Sequence, residues 1–148
     1  MPAADGLVEM VDATDVRACH ALMLQLRPQL GTADEWLLRF QRQATTGYRL
    51  LALLHGGQAV ALAGFRVQEN LVYGRFLYVD DLVTHAAERG GGHAAQLLHG
   101  LQAEARRQGC ERLVLDTALG NVQAHRFYYR SGLVIQALRF GMPVTAAL

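Results

Sequence analysis

The sequence predicts an α/β fold in a single domain, 1–148, with a mixed sheet. Three observations lead to this prediction. Helix-type and strand-type periodicities alternate along the chain. The segment His55-Gly56-Gly57 separates two apolar runs and is typical of a β-hairpin turn. With 148 residues and 51% hydrophobic content, the chain can build one complete core but not two.

The first half of the chain is predicted to form three strands and two helices. Residues suited to helix N-caps precede each stretch in which apolar residues recur at helical spacing. Pro28 and Gly47 stand where the two helices should end. The predicted elements are a strand at 7–11, a helix at 16–26, a helix capped within 32–34, and hairpin strands at 49–54 and 58–67.

The second half is predicted to contain two strand–helix pairs and a closing strand. A turn at 69–74 leads into a strand that ends in the acidic pair Asp80-Asp81, and a glycine-rich turn then opens a helix. Gly109 suits the end of that helix. The remaining predicted elements are a buried strand at 113–115, a helix from 121 to 131 and a closing strand at 133–140, which completes the order βααβββαβαβ.

Composition excludes several classes of function. A net charge of +1 offers no electrostatic basis for binding nucleic acid or an anionic membrane. All 14 basic residues are arginines, so mechanisms that need an intrinsic lysine are excluded. Cys19 and Cys110 have no metal-ligand spacing, so we expect reduced thiols and no metal site. The N-terminus has no secretory signal and no stretch suits a membrane span, so we expect a cytoplasmic protein.

The glycine turn 89–92 has the character of a phosphate site. Glycines let the backbone approach a ligand, the first N–H groups of a helix lack partners, and Arg89 adds a positive charge. A P-loop is excluded because its lysine is missing. A dinucleotide fingerprint fits Gly90-x-Gly92-x-x-Ala95, but the preceding strand carries two carboxylates. Asp116 ends the next strand, about where a ribose-binding acid belongs, but only 32 residues follow it, too few to finish such a sheet.

The last predicted helix carries polar and aromatic residues in one line. At about 100° per residue, Asn121, Ala124 and Tyr128 lie on one face. Such a surface can lie against a thin ligand. The same spacing also fits an N-cap at Asn121 followed by aromatic residues that pack in the core.

Together the two stretches resemble the GNAT family of N-acetyltransferases. The family's cofactor motif, Q/R-x-x-G-x-G/A, is met by Arg89-Gly-Gly-Gly92-His-Ala94, and its D-L-V-x pattern by 81–84. Leu133 replaces the final aromatic residue of a second motif, N-x-x-A-x-x-F-Y-x-x-x-G-F. The other residues that meet this second motif are Asn121, Ala124, Phe127, Tyr128 and Gly132.

This resemblance implies acetyl-CoA as the donor. It also implies a mixed, mostly antiparallel central sheet that is flanked by helices and splayed at the acyl-CoA cleft. N–H groups of the glycine turn and Arg89 would hold the pyrophosphate, and the strand edge 82–84 would pair with the pantetheine arm. A backbone N–H of that strand would bind the acetyl carbonyl oxygen. The implied cofactor-binding residues are Leu82, Val83, Thr84, Arg89, Gly90, Gly91, Gly92, His93, Ala94, Asn121, Ala124, Phe127 and Tyr128.

The catalytic residues that the resemblance implies are Tyr128, Asp80 and Asp81. Tyr128 would protonate the departing thiolate, because a phenol and a thiol have similar reference pKa values. Asp80 and Asp81 are candidates for the base that deprotonates the amine. On a regular strand they point to opposite faces, so only one can face the substrate unless a bulge intervenes. Each can also be an ordinary polar contact, and Glu35 is a remote third candidate.

The acceptor is expected to be a primary amine, and acids at 34–35 and 80–81 favour a small, cationic one. We therefore expect direct attack of the amine on acetyl-CoA in a ternary complex. The alternative is a non-catalytic acyl-CoA-binding module of the same fold. The expected partners are acetyl-CoA and the amine, with neither nucleic acid nor membrane, and a homodimer is a further candidate.

Overall fold

A computed structural model describes residues 5–145 of the chain, and it confirms the α/β class with a mixed sheet. Short 3-10 turns lie at Pro28–Leu30 and Ala86–Glu88. The longer elements are β1 (Gly6–Met10), α1 (Ala13–Ala18), α2 (His20–Leu26), α3 (Ala33–Ala44), β2 (Arg49–His55), β3 (Gln58–Asn70), β4 (Gly74–Thr84), α4 (His93–Arg107), β5 (Arg112–Leu115) and α5 (Val122–Arg130).

Within residues 5–145 the strands form one open sheet of five in the order β1-β2-β3-β4-β5. The first four are antiparallel neighbours, and β5 joins β4 in parallel. The chain divides into two compact units: the sheet with α1–α4 lies in the unit that ends at Leu115, and α5 lies in the unit that begins at Asp116. Within 5–145, the helices are all too short or too polar to cross a bilayer.

Two apolar clusters cover the sheet in the first unit. One joins α1, α2 and α3 to alternate sheet residues such as Leu50 and Leu62, which are fully buried. The other joins α4 to the opposite alternation, which includes Ala61, Ala63 and Phe65. This two-residue alternation is what a sheet covered on both sides requires. The α4 residues predicted to share one face are all buried, and they are Leu97, Leu98, Leu101 and Ala105.

The helix predicted at 16–26 is in fact two helices that meet at Cys19. The backbone N–H of Cys19 bonds to the carbonyl of Val16, three residues back, which closes a tighter turn than an α-helix makes. The apolar face continues across the break, because Val16, Cys19, Leu22 and Met23 are all buried. Periodicity alone therefore could not reveal the boundary.

The closing strand predicted at 133–140 is wrong. No strand of the described chain pairs with this segment, and the side chains of Val134, Ile135, Leu138 and Phe140 are all exposed. The prediction rested on apolar content, but a strand also needs a neighbour for its backbone N–H and C=O groups. The predicted turn at 69–74 is also shorter in the structure, because β3 continues to Asn70 and β4 begins at Gly74.

Candidate active site

A β-bulge in β4 changes the face to which its side chains point. Gly64 pairs with Asp81 while the next residue, Phe65, pairs with Val79, so Asp80 is the extra residue on β4. Val79 packs in the cluster under α4. Asp81 would share that face on a regular strand, but the bulge turns it towards the α1–α3 side, where its hydrogen-bond partners lie.

Asp81 is held by two neighbours from different parts of the chain. The Tyr48 hydroxyl donates to Oδ2 at 2.7 Å, and Arg27 donates through Nε to Oδ1 at 3.0 Å. Burial raises the pKa of the Tyr48 phenol far above its usual range, and the negative charge of Asp81 adds to this rise. The phenol therefore stays protonated and remains a hydrogen-bond donor. Gly64 leaves the space for this contact, since a Cβ there would lie 1.9 Å from the Tyr48 hydroxyl oxygen.

Asp80 faces the same side of the sheet as Asp81. Arg66 follows Phe65 on β3, and Phe65 packs in the cluster under α4, so Arg66 points to the opposite side. Arg66 donates two hydrogen bonds to the Asp80 carboxylate, from Nε to Oδ2 at 3.1 Å and from Nη2 to Oδ1 at 2.8 Å. Arg27 Nη2 also donates to the Asp80 carbonyl at 3.0 Å. Burial raises the pKa of the Asp80 carboxyl, and Arg66 offsets only part of that rise. The bulge thus brings both predicted acids together.

The glycine turn between β4 and α4 has the conformation that its sequence predicts. Gly90 and Gly92 have φ of +87° and +79°, in the left-handed region that favours glycine. Gly92 is the N-cap of α4, and α4 has no acidic residue in its first turn. The space that a Cβ would occupy at Gly90 or Gly92 is open. The unpaired N–H groups of this first turn are therefore available to an anion.

The segment 80–84 of β4 has a strand on only one side within the described chain. Thr84, Val83 and Leu82 pair with β3, whereas β5 pairs with Phe76–Val79 alone. The outer edge of 82–84, predicted to receive the pantetheine arm, is thus free of a neighbouring strand. Gln25 fixes the end of this segment: its Nε2 donates to the Thr84 carbonyl at 2.9 Å, and its Oε1 accepts from Ala86 N at 3.2 Å.

His93, placed by sequence in the cofactor motif, is a buried residue at the start of α4. Its Nε2 lies 3.4 Å from the Glu88 carboxylate, and its ring meets the His55 ring edge-on with centroids 5.0 Å apart. His85 caps the 3-10 turn Ala86–Glu88, since its Nδ1 accepts a hydrogen bond from Ala87 N.

In the second unit, Asn121 caps α5 by accepting a hydrogen bond from Ala124 N at 3.1 Å. Tyr128 is half-buried and its ring lies 5.4 Å from that of Phe127. Burial raises the pKa of the Tyr128 phenol, so it keeps its proton through neutral pH. The cap and the aromatic pair are the features that the spacing of this helix predicts.

Sequence reasoning missed three residues of the acidic site: Tyr48, Gly64 and Arg66. No local motif marks them. Tyr48 and Arg66 bond to aspartates that are distant in sequence, and Gly64 leaves room for one of these bonds. Of the acids at 34–35 that were expected to favour a cationic amine, Asp34 is paired with Arg17. The nearby Trp36 is a core residue whose Nε1 donates to the Val16 carbonyl.

Comparison with known proteins finds acetyltransferases among those similar to this chain. The family model described as "Acetyltransferase (GNAT) family" matches residues 16–133. The uncharacterized N-acetyltransferase YhdJ of Bacillus subtilis is 31% identical over 127 residues, which cover 84% of this chain and 89% of that protein. The aminoalkylphosphonate N-acetyltransferase of Salmonella typhimurium is 33% identical over 94 residues, which cover 63% of this chain and 60% of that protein.

Among solved structures, the aminoglycoside N-acetyltransferase AAC(6')-Iy in complex with CoA is similar in fold. The alignment has a TM-score of 0.83 at 16% identity and covers 99% of both chains.

Replacing Gly64 with alanine tests the packing of the acidic site. The new methyl group would overlap the Tyr48 hydroxyl, so Gly64→Ala should break the bond to Asp81 and lower the free energy of unfolding by about 1–3 kcal/mol. Urea unfolding measures this change. Gly141→Ala is the matched control, because a Cβ there meets nothing within 4 Å. Equal stability of the two variants would contradict the proposed contact.

Proposed function

The chain belongs to the GNAT family of acetyltransferases, and we propose that it transfers the acetyl group of acetyl-CoA to the primary amine of a small molecule. The amine would attack the thioester directly, in a ternary complex. The observation that carries this proposal is the glycine turn, whose left-handed glycines and helix start without a side-chain cap suit a pyrophosphate.

The residues around the turn fit the donor. Arg89 is exposed beside Gly90, so its guanidinium is accessible to phosphate oxygens. The free edge of 82–84 offers backbone groups to the amides of the pantetheine arm, as an added strand would find them. Acetyl-CoA would supply the activated acetyl group. A backbone N–H of this edge would stabilise the negative charge that develops on the acetyl oxygen.

Of the two acids, Asp80 suits the general base and Asp81 suits a positioning role. The raised pKa of Asp80 makes its carboxylate a better proton acceptor than an ordinary aspartate. The carboxylates of both acids are engaged on both oxygens, but Arg66 alone holds Asp80, whereas Asp81 is shared between Arg27 and Tyr48. Asp81 therefore links the segment after α2 and the segment before β2 to β4. Asp80 would take the amine proton directly or through water.

Tyr128 would act as the general acid. The family motif supplies this role, and burial keeps the phenol protonated at the pH where the amine must react. A protonated phenol can give its proton to the departing thiolate, so the thiol leaves neutral.

The charge at the acidic site is balanced rather than negative. Arg66 pairs with Asp80 and Arg27 with Asp81, and both guanidinium groups remain partly exposed. A site with this balance of charge suits an amine that also carries an anionic group better than a purely cationic amine. The Salmonella relative is named for an aminoalkylphosphonate, a small amine of this kind, which supports the same choice.

Binding of the donor is tested through the glycine turn. CoA and acetyl-CoA should stabilise the wild-type protein against heat, and NADH should not, because a ligand that binds only the folded state raises its stability. Gly92→Val should abolish CoA binding in calorimetry. Gly109→Val is the control, since Gly109 has a similar φ of +70° and open space at the other end of α4. Equal CoA affinity in both variants would place the donor elsewhere.

The role of Tyr128 is tested by removing its hydroxyl. Tyr128→Phe keeps the ring, so the acetyl-CoA affinity should change little while kcat falls by about a hundredfold or more. A thiol-release assay with a panel of amines, with and without an anionic group, first identifies an acceptor. Tyr129→Phe, at an exposed neighbouring position, is the control. Full kcat in Tyr128→Phe would leave water as the proton source, and CoA binding without turnover on any amine would favour the non-catalytic module.

The role of Asp80 is tested by the pH dependence of kcat/KM. A base must be deprotonated, so the rate should fall as pH drops through a pKa that lies above the ordinary value of 3.8. Asp80→Asn should lose this acidic limb and about a hundredfold or more in rate. Asp81→Asn should mainly lower stability and keep the limb. A limb that persists in Asp80→Asn would assign the base elsewhere.

A further inference from the structure

Three side chains that are distant in sequence meet beside the glycine turn. His55 ends β2, Glu88 lies in the 3-10 turn after β4, and His93 begins α4. Each offers one potential ligand atom, and the three atoms all lie within 4.8 Å of one another. The proposed acetyl transfer uses neither His55 nor Glu88, so this cluster needs an explanation of its own.

We propose that His55, Glu88 and His93 form a binding site for a divalent transition-metal ion of the zinc class. Two imidazoles and one carboxylate are the ligands that such ions prefer, and three protein ligands leave a fourth position open to water or an anion. Hard cations such as Mg²⁺ prefer sites made of oxygen ligands alone. The donor set therefore selects Zn²⁺ over Mg²⁺.

The distance between His93 and Glu88 fits a shared ion better than a direct hydrogen bond. His93 Nε2 and Glu88 Oε2 are 3.4 Å apart, which is long for a hydrogen bond between nitrogen and oxygen. Two ligands bonded at about 2.0–2.1 Å to one tetrahedral ion are separated by roughly 3.3 Å. The buried His93 is held in place by its surroundings, whereas His55 and Glu88 are exposed and can rotate to complete the site at small cost.

Gly91 keeps the approach to the site open. It is the one glycine of the turn without a left-handed φ, so its conformation does not require glycine. A Cβ at this position would lie 3.3 Å from His93 Nε2 and 3.4 Å from the Glu88 carbonyl oxygen. The absence of a side chain at Gly91 thus leaves His93 Nε2 free to bind an ion.

A metal at this position would tie the glycine turn to the β2–β3 hairpin. Glu88 and His93 flank the turn on both sides, and His55 belongs to the hairpin. A bound ion would therefore cross-link the two segments and reduce the motion of the turn. Slower amide hydrogen exchange across 88–95 would report this effect without any need for CoA.

The test is Zn²⁺ titration by calorimetry on tag-free protein stripped with a chelator. The wild-type protein should bind one Zn²⁺ per chain, with no comparable heat from Mg²⁺. His55→Asn removes an exposed ligand, so it should fold normally and weaken the Kd for Zn²⁺ at least about ten- to a hundredfold, the loss known for residues that merely support a ligand. Glu88→Gln should also weaken it. His99→Asn, at an exposed position on α4, is the matched control and should bind as the wild type does.

Hydrogen exchange gives the second readout. Zn²⁺ should slow exchange at 88–95 in the wild type and in His99→Asn but not in His55→Asn. The proposal is overturned if His55→Asn and His99→Asn bind Zn²⁺ equally, or if the wild type shows no saturable binding of one ion per chain. Because neither measurement involves CoA or an amine, the metal site and the acetyl transfer can fail independently.

Discussion

The register shift between β3 and β4 is the constraint on which the acidic site depends. One extra residue, Asp80, turns Asp81 away from the α4 cluster and towards Tyr48 and Arg27. Without the bulge, a carboxylate would point into the apolar packing under α4, where an unpaired charge is costly. Gly64 belongs to the same constraint, because only glycine lets the Tyr48 hydroxyl reach across β3.

The paired charges of the two aspartates lie next to backbone segments whose N–H groups are open to a ligand. Each of the two aspartates forms an ion pair with its own arginine, so two separate ion pairs hold the site. The neighbouring edge 82–84 and the glycine turn instead offer backbone N–H groups. The paired side chains of the acids and the backbone groups of the turn and edge are thus two chemically different surfaces.

Much of the fold follows from local patterns, and the failures have specific causes. The glycine turn and the helix it opens were predictable because left-handed glycines and helical periodicity are local properties. The break at Cys19 was not, because no proline or glycine marks it and the apolar face runs through it. The strand expected at 133–140 failed because apolar content cannot supply a pairing partner.

The sequence by itself determined the family, the glycine turn and the positions of the two acids, since each is written in contiguous motifs. Only the tertiary structure decided that Asp80 and Asp81 share a face, that Arg27, Arg66 and Tyr48 neutralise or hold them, and that His55 meets Glu88 and His93. The physical reason is the same in each case. Strand register and helix docking bring together residues that are distant in the chain, and no local pattern records which of them will meet.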